Sequence, residues 1–109
     1  IEEAVISCRK SVEINPRYAN GWNNLGIALM SAERADEAIV AYRKAVDLEP
    51  KFYQSGSNLG IVLADQGILE EAIACFRKSL SLEPEYTEAL IQKNFCFVLE
   101  SFPNALKRQ

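Results

Sequence analysis

The stretch "GWNNLGIALM", residues 21–30, returns in altered form as "GSNLGIVLAD", residues 56–65. Asn-Leu-Gly-Ile runs from Asn24 to Ile27 and again from Asn58 to Ile61, a numbering offset of 34. The same interval governs the rest of the chain. Pro16, Pro50 and Pro84 keep it, as do Ala4, Ala38 and Ala72. So do the acidic pairs Glu2-Glu3, Asp36-Glu37 and Glu70-Glu71, and the basic pairs Arg9-Lys10, Arg43-Lys44 and Arg77-Lys78. Tyr18, Phe52 and Tyr86 each follow a proline by two positions. A fixed period of this length is the mark of a stacked repeat architecture.

Each unit reads as two helices. The first spans Ala19 to Ala32, then Tyr53 to Gln66, then Thr87 to Ser101. The second spans Glu2 to Ile14, then Ala35 to Leu48, then Leu69 to Leu82. Ala38, Ala41, Tyr42, Ala45 and Leu48 trace one helix face, and Ala72, Cys75, Phe76, Ser79 and Leu82 repeat it. Each proline ends a second helix, because it lacks an N–H and disfavours helix in the residue before it. Gly67 suits the turn inside a helix pair, whereas its counterpart Glu33 makes the matching turn a weaker expectation.

These residues resemble the tetratricopeptide repeat. Trp22, Leu25, Gly26, Ala38, Tyr42, Ala45 and Pro50 follow its signature, and Leu59, Gly60, Ala72, Phe76 and Pro84 follow it again. The expected fold is an all-α, right-handed superhelical solenoid of antiparallel helix pairs. Its units are a lone second helix (1–18), two full repeats (19–52 and 53–86) and a degenerate or truncated repeat (87–109). Gly56 stands in place of Trp22, Lys93-Asn94 in place of Leu-Gly, and Pro103 interrupts the last unit. Gly26 and Gly60 are expected to let paired helices approach, with Ala38 and Ala72 facing them. Ile1 begins inside a helical pattern, so the chain reads as a piece of a longer array. Val5, Cys8 and Val12 are then expected to be partly uncovered, and self-association through that end is a further expectation.

Composition narrows the chemistry. The 109 residues are 49% hydrophobic and 25% charged, within the range of soluble globular chains. A net charge of −3 argues against a nucleic-acid surface. No apolar run reaches the roughly 18 residues of a membrane helix. There is no histidine, which removes histidine base catalysis and the commonest metal ligand. Cys8, Cys75 and Cys96 are odd in number and without CxxC spacing, so they read as small buried hydrophobes in a reducing compartment such as the cytoplasm. No enzyme, cofactor or metal is expected.

The resemblance also implies which residues face a concave groove. These are Asn20, Asn23, Asn24, Ile27, Met30 and Ser31 in the first full unit, and Gln54, Ser57, Asn58, Ile61, Ala64 and Asp65 in the second. In the last unit they are Glu88, Ile91, Gln92, Phe95, Val98 and Leu99. Asn24, Asn58 and Gln92 recur at the repeat interval and are expected to align as a ladder. An amide both donates and accepts, so such a ladder suits the backbone of an extended peptide of any sequence. The implied function is a non-catalytic scaffold for a peptide or protein segment. The peptide-binding residues are expected to be Asn20, Asn23, Asn24, Ile27, Gln54, Asn58, Ile61, Asp65 and Gln92.

Two narrower likenesses stand beside this. Asn before Leu-Gly is similar to the substrate-recruiting repeats of O-linked N-acetylglucosamine transferase. "WNNLG" and "AYRKAVDLEP" are similar to the receptor for peroxisomal matrix proteins, with Asn23 and Asn58 as matching residues and Ser31 and Asp65 as departures. A carboxylate clamp for acidic chaperone tails fits poorly, since the wall positions of the two full units carry no Lys or Arg. The charged pairs on the second helices read as a solvated convex face, with acids early and bases late along each helix.

Overall fold

The fold is taken from a computed structural model, which describes residues 1–86 together with Ile91 and Lys93. Among the described residues five helices follow one another: α1 (Glu2–Ile14), α2 (Ala19–Ser31), α3 (Ala35–Leu48), α4 (Tyr53–Asp65) and α5 (Leu69–Leu82). The expected helix of residues 87–101, the unit 87–109 and Cys96 lie outside the described residues. All three second helices have the expected bounds, while α2 and α4 each stop one residue early.

Local chemistry explains where the helices stop. Asn15, Glu49 and Glu83 each precede a proline, and each leaves the helical region, with ψ of 78°, 89° and 90°. Inside each pair the chain reverses through a left-handed residue: Gly67 at φ 80° and Glu33 at φ 60°. The Arg34 N–H donates to the Leu29 carbonyl and the Glu33 N–H to the Met30 carbonyl. Ile68 and Gly67 repeat these bonds to Leu63 and Ala64. This is the same paired closure at both helix ends, normally built on glycine. Glu33 therefore forms the turn that its side chain made doubtful.

α2 packs most extensively on α3, and α4 on α5; α1 on α2 and α3 on α4 join one unit to the next. The core runs the length of the stack. It links Val5 on α1, Leu25 and Leu29 on α2, Tyr42 on α3, Leu59 and Leu63 on α4, and Phe76 on α5. Each unit thus covers its neighbour, as in a solenoid. Val5 and Val12 are buried, contrary to the expectation that they stand uncovered, because α2 closes over them; Cys8 is half-buried. The exposed apolar residues of α1 are Ala4, Ile6 and Ile14. Leu82, expected on the buried stripe, is exposed.

The glycines have a more specific neighbour than a facing alanine. A Cβ on Gly26 would stand 2.5 Å from the Tyr42 ring, and one on Gly60 would stand 2.6 Å from the Phe76 ring. The aromatic ring of each second helix lies against the bare backbone of its partner. Burial pushes the Tyr42 hydroxyl up to about 12.

The charged pairs form a pattern across units. Arg9 on α1 pairs with Glu37 on α3 at 2.8 Å, and Arg43 on α3 pairs with Glu71 on α5 at 2.5 Å. Both partners step by one full period, so successive second helices are stitched by one repeated ion pair. Arg34 also reaches Glu2 at 3.1 Å. The acids do occupy the first turns, but none of the three helices carries a base in its last turn. Arg9 and Arg43 sit further back along their helices and reach sideways to the next unit.

Candidate functional site

α2 and α4 present the groove residues, and the structure sorts them. Asn20, Asn24 and Gln54 are exposed and available to a partner. Asn23 is buried, and Asn58 is half-buried. The Asn58 Nδ2 donates to the Asn23 Oδ1 at 3.2 Å, bridging the two helices. The rung therefore joins Asn58 to Asn23, one position off the repeat interval, and not to its counterpart Asn24. Asn23 points towards the next unit, and Asn24, one position on, is turned to solvent. The two asparagines singled out by likeness to the peroxisomal receptor are each other's partners.

Ile27 is exposed and Ile61 half-buried, giving the wall an apolar middle. Asp65, the last residue of α4, is exposed; Gln92 lies outside the described residues. Ser57, the counterpart of Asn23 in the second unit, is fully buried on α4, as is Ser55. Neither hydroxyl has a hydrogen-bond partner among the described residues.

A cleft of about 410 Å³ opens where the α1–α2 loop meets the α3–α4 loop. Asn20 and Gln54 line it, so the structure brings these two expected site residues together. Arg17, Tyr18, Lys51 and Phe52 line it too, with Glu49 as its one acid. The helix-by-helix reading missed these four, because it counted only positions on the first helices. The signal was present: Arg17-Tyr18 and Lys51-Phe52 follow Pro16 and Pro50 at the same interval. The wall positions do lack a cation, but the loops supply two at its edge. Asn20 is oriented by the ring beside it, its Nδ2 donating to the Tyr18 hydroxyl at 3.1 Å.

The groups with displaced protonation lie on the second helices. Burial raises the Cys75 thiol, which keeps it protonated and inert. A hydrogen bond to Arg43 lowers the Glu71 carboxyl. Among the described residues no cluster of Cys, Asp and Glu could hold a metal ion, and no helix is long and apolar enough to cross a membrane. The cleft offers amides, aromatic rings and two cations, which is binding chemistry.

Comparison with known proteins agrees with this architecture. A tetratricopeptide repeat model matches residues 19–52, and a second model of that repeat matches residues 57–86. No curated protein matches the chain. The crystal structure of MamA is similar at a TM-score of 0.88 and 22% identity, covering 94% of this chain and 60% of that one. A second MamA structure gives 0.88 at 23% identity, covering 97% and 58%. The Arabidopsis OM64 TPR domain gives 0.83 at 22% identity, covering 87% and 78%. The chain spans about 60% of the length of the first MamA chain. At these identities the likeness speaks to the fold. The repeat models together cover more than half of the chain, on the helix pairs just described: this chain belongs to the tetratricopeptide repeat family.

Proposed function

We propose that the chain is a non-catalytic protein-interaction scaffold that holds an extended peptide or protein segment along α2 and α4. One observation carries this reading: Asn20 and Gln54 converge, exposed, on the cleft of about 410 Å³ between the two units. Their amides can pair with either group of a peptide bond. Asn24 extends the same wall, and Ile27 and Ile61 supply an apolar strip beside it. The Asn23–Asn58 bond holds the two helices in register beneath the partner.

The test compares affinity capture from the source cells by wild type and by the triple variant Asn20→Ala, Asn24→Ala, Gln54→Ala. All three residues are exposed, so helix content by circular dichroism should be unchanged. The variant is expected to bind the captured partner about tenfold more weakly, equivalent to ~1.4 kcal/mol. Equal affinity would remove the groove reading.

A further inference from the structure

The two full units differ most at one position, Trp22 against Gly56. In the first unit the half-buried Trp22 donates its Nε1–H to the Pro16 carbonyl at 2.8 Å. In the second unit a cavity of about 40 Å³ opens beside Gly56. Val46, Pro50, Leu59, Cys75 and Ser79 are among its walls. They are the repeat counterparts of Val12, Pro16, Leu25, Ala41 and Ala45, of which Pro16, Leu25 and Ala41 stand beside Trp22 in the first unit. The Ser79 hydroxyl already donates to the Tyr53 carbonyl at 2.9 Å and makes no unmet demand on the cavity. The Pro50 carbonyl, counterpart of the acceptor that Trp22 uses, receives no hydrogen bond among the described residues.

We propose that this cavity is a socket for the indole ring of a tryptophan on a partner protein. The occupant is read from the sister unit: apolar walls take the ring, and the Pro50 carbonyl takes its N–H. Lys78 at the rim adds a cation for the ring face. Tyr53 is held as a wall by its edge-on contact with Tyr86, with ring centroids 5.1 Å apart. The ring edge enters and the remainder lies across the opening, since the cavity is smaller than an indole. A second copy of this chain is the poorer occupant. Its only tryptophan is Trp22, which is already held by Pro16. This surface is separate from the Asn20–Gln54 cleft, so it stands or falls independently of the groove.

The test is a ¹⁹F NMR titration of 5-fluoroindole with the full chain, alongside 5-fluoro-1-methylindole, which lacks the N–H. Saturable binding near millimolar is expected for the free ring, weaker by several-fold for the methylated one. Gly56→Trp should fill the socket from within and abolish binding. A Cβ at Gly56 comes within 3.1 Å of the Ser79 Oγ, so Gly56→Trp with Ser79→Ala, which restores the residue types at Trp22 and Ala45 of the first unit, is the second variant. A capped Ala-Trp-Ala peptide should bind, and Ala-Ala-Ala should not. No saturable shift in the wild type, or binding that survives the double variant, overturns the socket. Equal binding of the methylated ring overturns the role of Pro50. A dimer in sedimentation that the double variant dissociates would assign the socket to a second copy and overturn the partner reading.

Discussion

Glu33 and Gly67 do the same work with different side chains. Both sit in the left-handed region, at φ 60° and 80°, and both close a helix end with the same pair of backbone bonds. For a residue with a Cβ that conformation costs roughly 1–2 kcal/mol, a cost glycine avoids. Glu33→Gly is therefore expected to raise stability by about 1 kcal/mol and Gly67→Ala to lower it by about as much, read from urea midpoints. A drop on Glu33→Gly would mean that the carboxylate contributes more than the backbone strain removes. The glycine at residue 67 made its turn legible in the sequence. At residue 33 the turn was hidden, because the bonds of Leu29 and Met30 impose it from the helix end rather than from the residue itself. Ser55 offers a second test at this scale. Its hydroxyl is fully buried with no partner among the described residues, and the position is glycine (Gly21) in the first unit. Ser55→Ala should raise stability by about 1 kcal/mol, since an unsatisfied buried hydroxyl costs roughly 1–3 kcal/mol; a thermal shift reads it.

Between elements, the decisive contact is an aromatic ring on a bare helix backbone. Gly60 and Phe76 join α4 to α5 as Gly26 and Tyr42 join α2 to α3. A methyl on Gly60 would meet the Phe76 ring at 2.6 Å, and that ring is fully buried with little room to retreat. Gly60→Ala is expected to destabilise by about 1–3 kcal/mol despite the better helix propensity of alanine. If Gly60→Ala were neutral, the helix pair would have to slide at no cost, which the repeated geometry in both units argues against. The periodicity announced that these glycines face another helix. The ring that fills the gap was not legible there, because facing alanines and facing aromatics share the same helical stripe.

At the scale of the molecule, consecutive second helices are joined by Arg9–Glu37 and Arg43–Glu71. The position one period beyond Glu71 is Ala105, so Arg77 meets no acid at the repeat interval. These pairs are exposed, and each contributes about 0.2–1 kcal/mol, which suits setting register between units more than holding them together. The Arg43 bond holds the Glu71 carboxyl below its usual 4.5. A depressed carboxylate contributes stability above its unfolded value and loses it as pH falls through the folded one. Glu71→Gln should therefore lose under about 1 kcal/mol at pH 7 and nothing at pH 2–3, and added salt at about 1 M should shrink the difference at pH 7. A pH-independent loss would trace the effect to packing instead of charge.

For the described residues, the sequence alone determined the five helices, the proline-marked ends of the second helices and the stacking order. Prolines stop a helix through their own ring, and one constant period repeats every local decision. Only the tertiary structure decided how the first helices present their amides. It paired Asn58 with Asn23 and left Asn24 exposed, a link one position off the repeat interval. It also brought Arg17 and Lys51 from separate loops to one cleft, and left a cavity beside Gly56 where the first unit holds Trp22. Each of these depends on the offset between units, a property of packed surfaces that no single segment carries.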